Sequence, residues 1–267
     1  MLFLLSPAKT LDYDTPTHVR ARGEPLWMDR SAELIALLRK HTPAEIAALM
    51  DLSDPLAALN VGRYAAWSLT STRRTSRAAV LAFAGDVYDG LDAKTLSARD
   101  LAWAQAHLVI LSGLYGVLRP LDALQPYRLE MGTRLTNPKG KDLYAFWGDD
   151  VARHLNERLA AERGKPVVVN LASQEYFRVV DRKVLAARVV ECVFEDWKSG
   201  EWKVISFFAK RARGAMARWA ITQRVRRVDD LKGFDLEGYA WEKAASGADR
   251  WVFRRIDPPR PAARIQA

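Results

Sequence analysis

One cysteine, four histidines and no long apolar run are all that this chain of 267 residues offers toward redox, metal or membrane chemistry. A single thiol, Cys192, excludes an internal disulfide and a thiolate metal cluster, and it fits a reducing compartment. In Val190-Glu191-Cys192-Val193-Phe194 the alternation puts that thiol on the face of Val190 and Phe194, which predicts a buried, inert sulfur. His18, His41, His107 and His154 are scattered without paired spacing, so no metal site is expected. Asp12, Asp122 or Glu130 could hold magnesium through carboxylates, but nothing in their spacing singles them out. No apolar stretch approaches bilayer length, and Met1 to Ser6 lacks a basic leader and is too short for a signal peptide. A cytoplasmic protein with no membrane partner is expected. Also missing are a glycine-rich run ending in Gly-Lys-Ser or Gly-Lys-Thr and a G-x-S-x-G elbow, and Gly113-Leu114-Tyr115-Gly116 is too little for a dinucleotide fingerprint. No cofactor is expected.

What is present is an ample core and an excess of positive charge. Hydrophobic residues make up 49% of the chain, and 41 Lys and Arg stand against 32 Asp and Glu, a net charge of +9. That balance favours polyanionic or phosphorylated partners, and its distribution matters more than its sum. From Lys203 to Arg227 there are eight Lys or Arg and no acidic residue. A solvated helix face is the plain reading of such a run; the lack of any compensating carboxylate favours an anion-facing surface.

Continuous apolar runs at Met1 to Ser6, Leu108 to Leu111 and Val167 to Leu171 predict buried strands, each alternating with helical sequence and each ending in small, polar residues. This predicts a mixed α/β fold, a single domain over 1–257 whose central mixed sheet is flanked by helices, with a mobile tail over 258–267. Thr42-Pro43-Ala44-Glu45 and Ser97-Ala98-Arg99-Asp100 read as capping boxes that open helices. Asp54-Pro55 opens another helix after a tight turn at Asp51 to Asp54; two helices so joined can bind DNA or can simply pack, and the turn lacks the glycine pair of a phosphate-binding hairpin. Leu143, Trp147, Val151, Leu155 and Leu159 predict one helix from near Asp142. Val189 to Trp197 and Trp202 to Phe208 predict a hairpin turning at Lys198 to Glu201, and two last strands are expected at Gly238 to Lys243 and Arg250 to Ile256.

The strand ends gather the chemistry. The first is followed by Ser6, Lys9 and Thr10; the second by Ser112, Gly113, Tyr115, Gly116, Arg119, Asp122, Tyr127, Arg128 and Glu130; the third by Asn170, Ser173, Glu175 and Tyr176. In this reading Lys9, Arg119, Arg128, Lys210, Arg211, Arg213 and Arg218 supply phosphate contacts. Tyr115, Tyr127 and Tyr176 offer stacking or hydroxyl contacts, and Glu130 and Glu175 are candidate acids or bases. The inventory suits nucleic acid, a nucleotide or a phosphosugar alike.

Five stretches in order, LLSPAKTLDY at 4–13, LSGLYGVLRPLDALQPYRLEMG at 111–132, GKDLYAFWG at 140–148, VVNLASQEYF at 168–177 and SFFAKRARGAMAR at 206–218, resemble the YaaA family of bacterial peroxide-stress proteins. The resemblance covers nearly all of the chain before Asp257. It implies a cytosolic protein that limits unincorporated iron, and so Fenton damage, on a single-domain mixed α/β fold with a basic cleft, a helix-hairpin-helix-like element and DNA binding. The element falls at Pro43 to Trp67. The partner implied is DNA, expected to be double-stranded with little sequence preference. The alternative is an enzyme acting on a nucleotide or phosphorylated small molecule at the strand ends; the resemblance names no catalytic residue.

Overall fold

Strand β1 (Leu2–Leu5) has every residue buried, as a strand does when flanked on both edges and covered on both faces. A computed structural model describes residues 1–161 and 164–256, and these form one α/β domain. After β1 come the two-residue strand β2 (Thr10–Leu11), then helices α1 (Met28–Leu38), α2 (Pro43–Met50) and α3 (Asp54–Ala66). The short elements β3 (Arg77–Ala78), α4 (Ala79–Ala82) and β4 (Phe83–Ala84) lead into α5 (Asp86–Leu91) and α6 (Ala98–His107). The hairpin β5 (Leu108–Ser112) and β6 (Gly116–Leu118) follows, then β7 (Ala123–Leu124), α7 (Leu143–Trp147), α8 (Asp150–Ala160), β8 (Val167–Asn170) and α9 (Gln174–Phe177). The last third holds β9 (Arg188–Lys198), β10 (Glu201–Lys203), α10 (Ser206–Gln223), β11 (Ala240–Trp241) and β12 (Arg250–Arg255).

The main sheet runs β11-β12-β9-β8-β1-β5-β6, with β10 paired to β9. Its middle, from β12 to β5, is parallel; β11, β10 and β6 add antiparallel pairs at its margins. Local chemistry explains many of the boundaries. Thr42 and Ser97 cap α2 and α6 in reciprocal capping boxes with Glu45 and Asp100. The expected single helix from Asp142 is instead two, because Gly148 takes φ 53 and ψ −126, a backbone conformation that L residues avoid.

The expected strand from Trp202 to Phe208 stops at Lys203, and Ser206 to Phe208 begin α10. Buried Ala209, Ala212 and Met216 continue a helical stripe back through this segment, and packing of that stripe outweighs the β propensity of Val204, Ile205 and the phenylalanines. The expected tail over 258–267 lies outside the described residues.

Helix α10 lies against α5 at backbone contact. A Cβ on Gly214 would sit 1.7 Å from the Val87 carbonyl oxygen, and one on Gly90 would sit 2.0 Å from that of Arg211. Only hydrogen side chains allow this approach, which brings the basic helix over the end of β1.

Candidate functional site

β1 and β8 are parallel neighbours, so their carboxyl ends emerge side by side. Ser173 N–H donates to Ser6 Oγ at 2.9 Å, and the two hydroxyls are 3.3 Å apart. Asn170, buried, turns the exit by accepting from the Ala172 amide at 3.0 Å. Around this serine pair opens a cavity of about 340 Å³. The segment from Ser6 to Thr10 forms one wall, Glu130, Glu175 and Tyr176 a second, and Lys210 and Arg213 of α10 a third.

The charges in this cleft are only partly paired. Lys9 Nζ is 2.8 Å from Glu130 Oε2, while Arg128 holds Glu130 Oε1 at 3.0 Å. Glu175 accepts from the Gly132 amide at 2.9 Å, which fixes its carboxylate at the rim. Lys210 and Arg213 form no ion pair among the described residues, and Arg213 is half-buried. Burial, which disfavours its charge, pulls the Arg213 guanidinium below its ordinary pKa, with Glu191 opposing. An anion bound there would restore what burial removes. Burial also raises the Tyr176 phenol well above its usual range, so it enters as a neutral hydroxyl.

Ser6, Lys9, Glu130, Ser173, Glu175, Tyr176, Lys210 and Arg213 therefore come together. The rest of the sequence-derived set does not line this cleft. Ser112, Tyr115 and Tyr127 are buried in the core, with Ser112 Oγ 2.7 Å from the Tyr127 hydroxyl and the Tyr115 hydroxyl accepting from Trp67 Nε1 at 2.9 Å. Closed in this way, neither tyrosine has a face open to a base. Gly113 is packed against the Leu129 carbonyl, and Gly116 at φ 67 against Trp27 and Trp147, so both glycines serve close packing.

Arg119 is displaced for a topological reason: β6 turns back on β5, pairing Gly116 with Ser112 and Leu118 with Ile110, and so returns the chain toward the opposite end of the sheet. There Arg119 Nε meets buried Asp122 at 3.1 Å. Arg128 stands one step back from the cavity, behind Glu130. Arg211 pairs with Glu237 at 2.6 Å. Arg218 donates to the carbonyls of Leu91 and Asp92 at 3.1 and 2.8 Å, closing the end of α5. Within the basic run, helical rotation separates cleft cations from structural ones, which a count of charges does not do.

Thr10, Gly85 and Asp86 also line the cavity. Gly85 and Asp86 read only as turn residues in the sequence; the usable signal was the contact of α5 with α10, invisible without the fold. Between α2 and α3 the turn carries Asp51 in a left-handed conformation at φ 52, with Asp54 opening the next helix. Among the described residues no helix is long and apolar enough to cross a membrane, and no group of three His, Cys, Asp or Glu is placed to hold a metal ion.

A family model described as peroxide stress protein YaaA matches residues 1–245. The chain is 71% identical over 255 residues to a UPF0246 protein of Leptothrix cholodnii, covering 96% of this chain and 98% of that one. It is 64% identical to a UPF0246 protein of Bordetella pertussis over 96% of this chain and 99% of the relative. A UPF0246 protein of Cupriavidus metallidurans is 63% identical over 257 residues, 96% of this chain and 98% of the relative.

Proposed function

The chain belongs to the YaaA family of peroxide-stress proteins, which gives it a role in peroxide stress, and from that premise we propose that it acts by binding DNA through the cleft at Lys9, Lys210 and Arg213. In the same reading it helps to limit free iron, and so Fenton chemistry at the DNA it occupies, from the cytoplasm. The observation that carries DNA binding is the pair Lys210 and Arg213: cations on one wall of a cleft that form no ion pair among the described residues, with only the longer-range charge of Glu191 acting on Arg213. Phosphate contacts of this kind give affinity without sequence preference. The α2–α3 turn is a poorer candidate for backbone contact, because Asp51 and Asp54 set negative charge at its tip.

Replacing Lys210 by Glu and Arg213 by Gln together should weaken duplex binding equally for unrelated sequences. It should also flatten the fall of log K with log salt by about 0.9 per lost phosphate contact. Unchanged duplex affinity in a folded double variant would sink the proposal.

A second reading is favoured by the acids in the same cavity. Glu130, Glu175 and Asp86 exceed what a phosphate backbone calls for, and with Ser6 and Ser173 they suit a nucleotide or other phosphorylated small molecule. Thermal shifts against nucleotides and sugar phosphates test it. Stabilisation of the wild type that disappears on Glu130→Ala supports this enzyme-like site; a flat panel counts against it.

A further inference from the structure

A second cavity, of about 270 Å³, lies at the far end of the sheet from Ser6 and Ser173, along the edge formed by β6. Its floor is apolar, made by Val109, Val117 and Leu118, and Leu26, more than half exposed, stands at its mouth. Over this floor stand Arg119, from the turn after β6, and His154 and Arg158, one helical turn apart on α8. An apolar pocket with a few converging polar groups is the usual form of a small-molecule site.

Arg158 is the unusual member. Its Nη2 donates to the Ala106 carbonyl, while Nη1 is shielded from water and has no hydrogen-bond partner. A guanidinium left short of a partner in a dry place is costly. Burial first, and then the charge of Arg119, lower its pKa, with Asp122 opposing. Asp122, however, is already engaged by Arg119, accepting from its backbone N–H at 2.8 Å and from its Nε at 3.1 Å. Glu24, at the rim, is turned to Ser71, accepting from that residue's amide at 3.1 Å and its hydroxyl at 2.6 Å. The positive charge of Arg158 thus has no carboxylate of its own among the described residues. His154, its ring edge-on to Trp27, is held toward its neutral form by burial and by the arginines beside it, so it can meet an incoming group without adding fixed charge.

We infer that this cavity binds a small organic monoanion, a carboxylate on an apolar body, with the carboxylate bridging Arg158 and Arg119 and the body lying on Val109, Val117 and Leu118. Asp122 and Glu24 match the two arginines in number, so a ligand of low charge fits better than a multiply charged one. A planar carboxylate matches the guanidinium fork, whereas a phosphate dianion would bring a second charge against Asp122. The site is separate from the cleft at Lys210, and the inference does not depend on what that cleft binds.

Calorimetric titration of the full chain with 3-phenylpropionate, with 3-phenylpropan-1-ol as its uncharged counterpart and with inorganic phosphate, tests it. The acid should bind at least about 10-fold more tightly than the alcohol, the scale of a charge-assisted contact, and phosphate should not compete. Arg158→Met, which keeps an apolar stem, should reduce the acid to the affinity of the alcohol. Equal affinities for acid and alcohol, or an Arg158→Met protein that still prefers the acid, would overturn the inference. If that variant does not fold, the wild type decides: the His154 imidazole resonances should move with the acid and not with the alcohol, and resonances that ignore the acid reject the site.

Discussion

Alanine at position 214 should cost stability and disturb the cleft together, because α10 reaches its place only through glycine. The added Cβ would lie 1.7 Å from the Val87 carbonyl oxygen and 2.8 Å from the Leu91 amide nitrogen. To restore van der Waals separation α5 and α10 must part by roughly 1.5 Å. The obstruction is backbone on a neighbouring helix, which cannot rotate away as a side-chain tip can. Overpacking of this kind costs about 1–3 kcal/mol, and the gain in helix propensity from Gly to Ala returns up to about 1 kcal/mol. A net loss of about 1–2 kcal/mol corresponds to a fall in Tm of about 2–8 °C for a chain of this size.

Gly62, inside α3, is the control: a Cβ there meets nothing within 4 Å, so Gly62→Ala should gain about 0.5–1 kcal/mol from helix propensity alone. Urea denaturation of both variants, followed by far-ultraviolet circular dichroism, gives the two shifts, and duplex titration of Gly214→Ala reports the displacement of Lys210 and Arg213. A Gly214→Ala protein as stable as the wild type would refute the packing argument.

Other outcomes follow from single sites. The Cys192 thiol, fully buried and pushed by that burial up to about 12, should resist iodoacetamide and hydrogen peroxide in the folded protein and react once unfolded; rapid native labelling would show that the sulfur is reachable. Burial tends to raise the Asp12 carboxyl, but hydrogen bonds from Thr15 and the nearby Lys94 ammonium outweigh it and hold the group below its usual range. Its contribution to stability is therefore present above about pH 4 and is lost as pH falls through the lower folded-state value. Asp12→Asn should lower stability at neutral pH and flatten the acid limb of the stability profile, and a parallel profile would contradict this. Arg255 and Asp196 form a buried pair at 2.7 Å, with the Tyr239 hydroxyl on the same carboxylate at 2.9 Å. Arg255→Met should cost about 3–5 kcal/mol by leaving that buried carboxylate without a counter-charge, held only by the Tyr239 hydroxyl; a loss below about 1 kcal/mol in denaturant titration would rule out a paired charge there.

The sequence made legible the parts of this molecule that local chemistry decides. Apolar runs located β1, β5 and β8, and the capping boxes located the starts of α2 and α6, because these signals rest on burial and on hydrogen bonds between residues close in the chain. Ser6 and Ser173 were both legible as polar exits of buried strands, and the parallel pairing of β1 with β8 is what brings them together. Other features depended on tertiary geometry. Nothing in Gly116 to Arg119 announces that β6 turns back on β5 and takes Arg119 away, and nothing in Tyr115 or Tyr127 tells a buried hydroxyl pair from a stacking surface. The helical start at Ser206 was hidden by residues of high β propensity, and the roles of Gly90 and Gly214 exist only where the two helices meet.

Hydrogen–deuterium exchange of the full chain with and without a short duplex reads the DNA-bound surface segment by segment and so decides whether this cleft is the surface that DNA covers. Bound DNA should slow exchange in the amides from Lys9 through Thr10, from Ser173 through Tyr176 and along the first turns of α10 through Arg213. Protection confined to the α2–α3 turn, with these segments unchanged, would contradict it.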